Sequence, residues 1–293
     1  MFKFDAGHVA RSPRQQARSV DTAVRPPEIR RMDSLARLLN SYYRDQPRQP
    51  VVTAVGLRRN GASPAQDSPK TTLAVAHNTT DEAIQNDDER RLNVVSEFLR
   101  SPTEDKRLLT QQARQTAASL SQSSGLPRSR AADQERAARL GPRDRLARDL
   151  LKLKRTYDGL DSQRSEAMAQ LSARLREVFE VSPPSMVDLT IPADRGAVHA
   201  ESALVAHQVG GPIGVSKLSC GDCDDYAVGK GRKQDLRGTH GGRFPGWVHP
   251  DIRSSGTKPL KRVDVDQYAS DSSSDADFSD ETPNLRPKNK SSV

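Results

Sequence analysis

The two cysteines of this 293-residue chain, Cys220 and Cys223, stand three positions apart. About twenty residues before them, His199 is followed at the second position by Glu201. Two cysteines near the start of a helix and a nearby histidine provide three ligands of the kind that zinc prefers. Three protein ligands leave the fourth tetrahedral position open, which is typical of a catalytic rather than a structural site. These motifs constrain the fold because it must bring two short segments to one point.

The same spacing predicts a reaction. A His-x-Glu pattern followed by Cys-x-x-Cys is the ligand and acid/base set of the zinc-dependent nucleobase deaminases. Zn²⁺ held by His199, Cys220 and Cys223 would lower the pKa of its bound water to about 7. Glu201 would be the catalytic residue, moving a proton from water to the ring nitrogen and then to the departing ammonia. We therefore expect an enzyme that converts cytosine to uracil or adenine to hypoxanthine.

Three other interpretations of the motifs stay open at this point. His199 is then an ordinary polar residue of a helix, or the Cys-x-x-Cys is a redox pair, or it is half of a structural zinc site. An all-cysteine structural site within one chain is excluded, because the sequence has no other cysteines. A redox motif of the thioredoxin kind would be expected in more apolar surroundings.

The composition limits how much of the chain can fold. Hydrophobic residues make up 34% and aromatic residues 4%, against about 45–50% apolar residues in globular proteins. We expect one domain over residues 31–252, after a disordered basic arm (1–30) and before a disordered acidic, serine-rich tail (253–293). The sequence has no apolar run of about 18 residues that would span a membrane. Its first residues lack the apolar stretch of a classical signal peptide.

Apolar periodicity and β-branched runs predict an α/β fold. In the first helix, Asp33 or Ser34 is the expected N-cap. The expected elements are a helix over 31–44, strands over 51–57 and 71–77 that form a hairpin, a helical insert over about 81–182, a helix over 198–208, a strand over 213–218 and a helix from residue 220.

This order resembles the cytidine deaminase-like superfamily over most of residues 32–250. Its members begin with a helix and a β-hairpin. The resemblance implies a three-layer sandwich, with a central mixed sheet between helices and the helical insertion between hairpin and motifs. It also implies two further strands after the Cys-x-x-Cys helix, for which residues 244–248 and 260–265 are the candidates.

Within that superfamily, the chain is most similar to the Orientia-type deaminases associated with bacterial and fungal toxins and effectors. The likeness is carried by residues 198–201, 213–223, 239–241 and 245–247. That group also has a helical insert before its His-Ala-Glu helix. Ser219 stands where many deaminases have proline, a departure that the toxin-like groups tolerate better than housekeeping cytidine deaminases.

The resemblance implies three substrate-binding residues. Asn78, which ends the second strand, would contact the sugar or base, and its alternative is a turn residue. His240 and Trp247 would line or close the mouth of the active site. Trp247 has the alternative role of a packing residue.

The net charge of +8 is compatible with a polyanionic partner, and we expect a nucleic acid or nucleotide as substrate. The expected role is a secreted effector or toxin, in the cytoplasm of the producing cell or exported without a classical signal peptide. An immunity protein or host protein is a candidate partner. The alternatives are an inactive deaminase-fold protein that binds RNA or a protein partner, and a mostly disordered interaction protein in which the motifs are accidental.

Overall fold

The computed structural model describes residues 26–40, 52–59, 71–80, 82–102, 105–122, 142–193, 196–244 and 247–251. The predicted acidic tail, most of the predicted basic arm and the candidate strand at 260–265 lie outside these ranges.

The described residues form seven α-helices and six short strands, which confirms the α/β class. Four of the helices fall between residues 82 and 179, where the sequence predicts a helical segment. The elements are α1 (Pro27–Leu39), β1 (Thr53–Arg59), β2 (Thr71–His77), α2 (Glu82–Arg100), α3 (Lys106–Gln122), α4 (Pro142–Tyr157), α5 (Glu166–Phe179), β3 (Met186–Asp188), β4 (Pro192–Ala193), β5 (Gly196–Ala197), α6 (Ala200–Ala206), β6 (Gly214–Val215) and α7 (Gly221–Gly229).

In the described part of the chain, four strands form one mixed sheet in the order β3-β2-β1-β6. The predicted hairpin is confirmed: β1 and β2 pair antiparallel over seven residues, from Thr53 opposite His77 to Arg59 opposite Thr71. Strand β6 is antiparallel to β1, and β3 is parallel to β2. A separate two-stranded ribbon, β4-β5, leads into α6.

Strand β6 is shorter than the predicted strand over 213–218. After Val215, the hydroxyl of Ser216 accepts hydrogen bonds from the Thr53 amide and from Asn40 Nδ2, both at 3.0 Å. In a longer strand the Thr53 amide would donate to a backbone carbonyl of β6. Here it donates to the Ser216 side chain instead. The strand ends there, and the chain turns toward Cys220.

The two faces of the sheet differ in the size of their side chains. On β2, Leu73 and Val75 are buried among the apolar residues of α1 to α5. The alternate residues Ala74 and Ala76 are buried on the other face, against α6 and the segment that follows it. Full burial of a leucine or valine contributes about 1.5–3 kcal/mol. The helical layer therefore supplies most of the apolar stabilisation, while the small alanines allow α6 to approach the sheet closely.

Helix α1 begins at Pro27, four residues before the predicted start, because proline is well suited to the first turn of a helix. The prediction that Asp33 or Ser34 caps this helix was wrong. Asp33 lies inside α1, is buried, and accepts a hydrogen bond from the Val215 amide at 2.8 Å. Its carboxylate thus holds β6 to α1.

Charged side chains connect α1 to α4 in the interior of the helical layer. Arg37 donates two hydrogen bonds of 2.7 Å to the two carboxylate oxygens of Asp149, and Ser34 donates a third to the same group. Arg31 donates to Thr156 and to Asp161, which is fully buried. Charged groups removed from water are stable only when they are paired in this way.

A buried histidine joins the hairpin to α2 on the same face. His77 contacts Thr53 Oγ1 through Nδ1 at 3.1 Å and Asp88 Oδ2 through Nε2 at 2.6 Å. Burial raises the pKa of Asp88, although its hydrogen bond with His77 opposes the shift. This pair fixes the end of β2 on the face opposite α6.

The strand expected at residues 244–248 is absent among its described positions, 244, 247 and 248. Instead, Thr239 forms a single parallel bridge with Ser219. The carbonyl of Ser219 accepts from Thr239 Oγ1 at 2.8 Å and from the His240 amide at 3.0 Å. Two glycines follow, and Gly241 has φ of +74°. The chain turns away there before a longer strand can form.

None of the helices in the described part of the chain combines the length and the apolar character that a membrane crossing requires.

The contact between α1 and β6 predicts the effect of one substitution. A Cβ on Gly214 would lie 2.0 Å from the backbone carbonyl of Met32, so Gly214→Ala must push the helix off the strand. We expect it to lower the free energy of unfolding by about 2–3 kcal/mol or more in urea denaturation. Gly229→Ala is the matched control, because nothing lies within 4 Å of its Cβ position. Equal stability of the Gly214→Ala protein and the wild type would contradict this packing.

Candidate metal centre

Two helix N-termini supply the side chains of the motifs. His199 is the N-cap of α6, one residue before the helix starts, and its carbonyl accepts from the Ala203 amide. Cys220 is the N-cap of α7, as the motif predicts, and its Sγ accepts from the Cys223 amide at 3.4 Å. Residues three apart at the start of a helix lie on one face. Both sulfurs therefore point to the same side of α7.

The three side chains converge on one point. His199 Nδ1 lies 3.4 Å from Cys220 Sγ and 3.2 Å from Cys223 Sγ, and the two sulfurs are 3.3 Å apart. A tetrahedral zinc ion with bonds of ~2.3 Å to sulfur and ~2.0 Å to nitrogen separates its ligands by ~3.5–3.8 Å. A metal ion can therefore enter with small adjustments. In the part of the chain that the structure describes, this is the one cluster with a metal-binding arrangement.

The two buried cysteines do not ionise alike. The hydrogen bond that Cys220 shares with Cys223, with a further one to His199, lowers the pKa of Cys220 to about 5, although burial opposes the shift. Burial raises the pKa of Cys223, and the hydrogen bond with Cys220 raises it further. Without a metal the two sulfurs therefore share one proton. A cation between them is what stabilises the second negative charge.

The histidine responds to the same charges. Burial alone would lower the pKa of His199, but the hydrogen bond with Cys220 and the charge of Glu201 outweigh burial and raise it. The metal-free cluster therefore also retains part of a proton on its imidazole at neutral pH. An ion that binds here must displace protons from both Cys223 and His199.

Glu201 lies beside the cluster without belonging to it. It is in the first turn of α6, its exposed fraction is 3%, and it interacts with the Cys223 side chain. Burial raises the pKa of Glu201, more than the opposing charge of His199 lowers it. A carboxyl group whose pKa is raised holds a proton more readily than an exposed one, which suits a general acid/base.

Trp247 and His240 border the cluster in different ways. The indole Nε1 of Trp247 donates to Cys223 Sγ at 3.3 Å, so this residue contacts a candidate ligand directly. The ring of His240 makes an edge contact with Phe244, and Phe244 makes another with His199 at 5.6 Å between centroids. The sequence analysis did not predict that Phe244 lies at the site. An aromatic residue in a glycine-rich segment was the signal that could have indicated it.

Asn78 has a structural role at the end of β2. Its side-chain Oδ1 accepts from the Val52 amide at 2.8 Å, and its own amide donates to the Val52 carbonyl at 3.2 Å. These bonds close the open end of the hairpin, which is the turn role that the sequence left as the alternative. Substrate binding by Asn78 stays a prediction.

A cleft of about 440 Å³ opens along the outer face of α7. Its walls include Asp222, Tyr226, Arg243 and Trp247, and among the described residues that line it there is no residue of the His199, Cys220 and Cys223 cluster. Trp247 lines the cleft and also contacts Cys223, so its indole lies between the cleft and the cluster.

Comparisons of this chain with protein-family models, curated proteins and solved structures give no match. The geometry of the cluster and the chemistry of its side chains are therefore the basis for assigning a function.

The cluster predicts binding of one metal ion per chain. Zinc-loaded protein, freed of excess metal and measured by mass spectrometry of the metal, is expected to retain one ion. His199→Ala and Cys220→Ser remove ligands and are expected to lose it. His207→Ala is the matched control, since His207 is an exposed histidine at the other end of α6. Equal loss in His199→Ala and His207→Ala would contradict the assignment.

The ionisation of the ligands predicts a pH dependence. At pH 7 the metal-free cluster holds a proton on Cys223 and part of one on His199, whose pKa values are raised. Binding should therefore release about one to two protons, measured by calorimetry in buffers of different ionisation enthalpy. Affinity should fall as the pH drops below 7, and more steeply below about 5, where Cys220 also becomes protonated. Binding without proton release would contradict this ligand set.

Proposed function

We propose that this protein is a zinc-dependent hydrolytic deaminase of nucleobases, acting on cytosine or adenine in a nucleic acid or nucleotide. The convergence of His199, Cys220 and Cys223, with the buried Glu201 beside them, carries the proposal. Two thiolates and one imidazole form an N/S donor set that suits zinc and leaves one coordination position for water. Glu201 lies beside the ligands but is not one of them, which is the position of a general acid/base.

The chemistry divides between the ion and the chain. A zinc ion, when bound, supplies Lewis acidity and lowers the pKa of water to about 7. Glu201 accepts a proton, delivers it to the ring nitrogen of the base, and later protonates the departing amine. The net reaction replaces the exocyclic amino group with oxygen from water and releases ammonia. The raised pKa of Glu201 suits it to both halves of this cycle.

The surroundings support the same proposal. Helices cover both faces of the mixed sheet, in keeping with a deaminase-like three-layer sandwich. After the Cys-x-x-Cys helix the chain returns to the cluster, where Thr239 forms a parallel bridge with Ser219. The rings of His240 and Phe244 border the cluster, where a flat base could stack. Deployment as an effector or toxin is proposed on the sequence resemblance and on the polar flanks.

One observation favours a second function, a redox dithiol. Cys220 has a pKa of about 5 at a helix N-terminus, and its sulfur is 3.3 Å from that of Cys223. Both properties are typical of thiol–disulfide oxidoreductases. However, reactive cysteines of that kind are partly exposed, whereas these two are only 2% and 1% exposed. A protein disulfide could not reach them without opening the site, and we therefore favour the metal centre.

The function is tested by ammonia release from cytidine, adenosine, their nucleotides, single-stranded DNA and single-stranded RNA. Zinc-loaded wild type is expected to release ammonia from at least one of them. Glu201→Gln should lower the rate at least about 100-fold, because it removes the acid/base group, while one zinc ion stays bound. Glu89→Gln, on the exposed face of α2, is the matched control.

Full activity in Glu201→Gln would exclude the mechanism. A zinc-loaded wild type that releases ammonia from none of these substrates would favour the binding-only alternative. Reversible formation of an intramolecular disulfide in the absence of zinc binding would favour the redox function.

A further inference from the structure

We infer that Trp247 is a positioning residue of the metal centre, whose indole N–H holds Cys223 as a hydrogen-bonded thiolate ligand. The inference rests on the proposed metal site and adds to it a group that acts on the ligand rather than on the substrate. The sequence resemblance implies a different role for Trp247, in substrate binding or in closure of the site.

The contact itself is specific. Nε1 of Trp247 lies 3.3 Å from Cys223 Sγ. The indole N–H is a donor only and normally has a partner when it is removed from water. A sulfur atom is a weak acceptor as a thiol and a much better one as a thiolate. The contact is therefore strongest in the state of Cys223 that binds a metal.

The two cysteines obtain their donors from different sources. Cys220 Sγ accepts from the Cys223 amide as the cap of α7, so the helix backbone holds it. Cys223 lies inside the helix, where its sulfur needs donors from other segments. Ser202 faces it from α6, and its buried hydroxyl has no other hydrogen-bond partner among the described residues. Trp247 approaches from the segment after α7.

The indole is itself held in place. Its ring contacts His249 at 5.6 Å and Tyr226 at 6.4 Å between centroids. The hydroxyl of Tyr226 donates to Asp251 at 2.9 Å, and the amide of Trp247 donates to the Phe244 carbonyl at 2.9 Å. This aromatic cluster orients the N–H toward sulfur, so the contact is part of the packed structure.

A hydrogen bond to a ligand thiolate has two effects. It stabilises the negative sulfur, so that protons compete less with the metal for it. It also lowers the energy of the sulfur lone pairs, so that less charge is donated to the metal and the ion stays a stronger Lewis acid. Loss of such outer-shell partners typically weakens metal binding 10- to 100-fold.

Cobalt(II) is the probe for the test, because thiolate ligands give it a charge-transfer absorption band whose energy follows the sulfur lone pairs. Trp247→Phe keeps an aromatic ring and removes the N–H. We expect it to bind cobalt about 10-fold more weakly in chelator competition, with the band moved to longer wavelength.

Tyr226→Phe is the matched control, since it alters the same aromatic cluster without touching the sulfur. It is expected to keep the wild-type affinity and band. If Trp247→Phe does not fold, benzothienylalanine at position 247 retains the bicyclic shape and lacks the N–H. Either replacement should give the same shift.

The outcomes separate the two proposals. A wild-type protein that binds no cobalt contradicts the metal centre itself. A wild type that binds cobalt, with an unchanged band in the position-247 variants, contradicts the role of Trp247. An affinity loss without a band shift, or an equal loss in Tyr226→Phe, also contradicts it, because packing alone would then explain the effect.

Discussion

The contact between α1 and the two-residue strand β6 supports the rest of the site. Two residues pair with β1, too few to hold a strand by its ladder alone. Asp33 adds a hydrogen bond to the Val215 amide across 182 positions of sequence, and Gly214 lets the helix backbone approach the strand directly. Cys220 follows β6 after four residues. The position of the first cysteine is therefore set by a carboxylate in the first helix.

The sheet lies between the helical layer, which stabilises the fold, and the face that carries the candidate metal centre. Large apolar residues and paired charges fill the helical face. The other face carries small residues and the first turns of α6 and α7, which bring the buried side chains of Glu201, Cys220 and Cys223 together. The apolar packing of the helical layer helps to offset the cost of burying Glu201 beside the two cysteines.

Local patterns in the sequence predicted what local forces determine. The β-branched runs predicted the hairpin, and the Cys-x-x-Cys spacing predicted both sulfurs at a helix start, because backbone periodicity alone decides which side chains share a face. Long-range contacts had no such signal. Asp33 resembled a cap because aspartate is one of the residues preferred at helix N-caps. The Thr239 bridge and the indole contact of Trp247 depend on how distant segments meet. The substrate roles proposed for Asn78 and His240 also depend on long-range contacts, and they stay predictions.

The position of the indole has one more consequence. Trp247 is the one tryptophan in all 293 residues, and its ring nitrogen is in contact with Cys223. Fluorescence excited selectively from indole therefore comes from Trp247 alone. Thiolates quench indole emission at contact distance, and a metal ion alters that quenching when it changes the charge on sulfur. The intrinsic fluorescence of the unlabelled protein would thus report optically on the occupancy of the candidate metal centre.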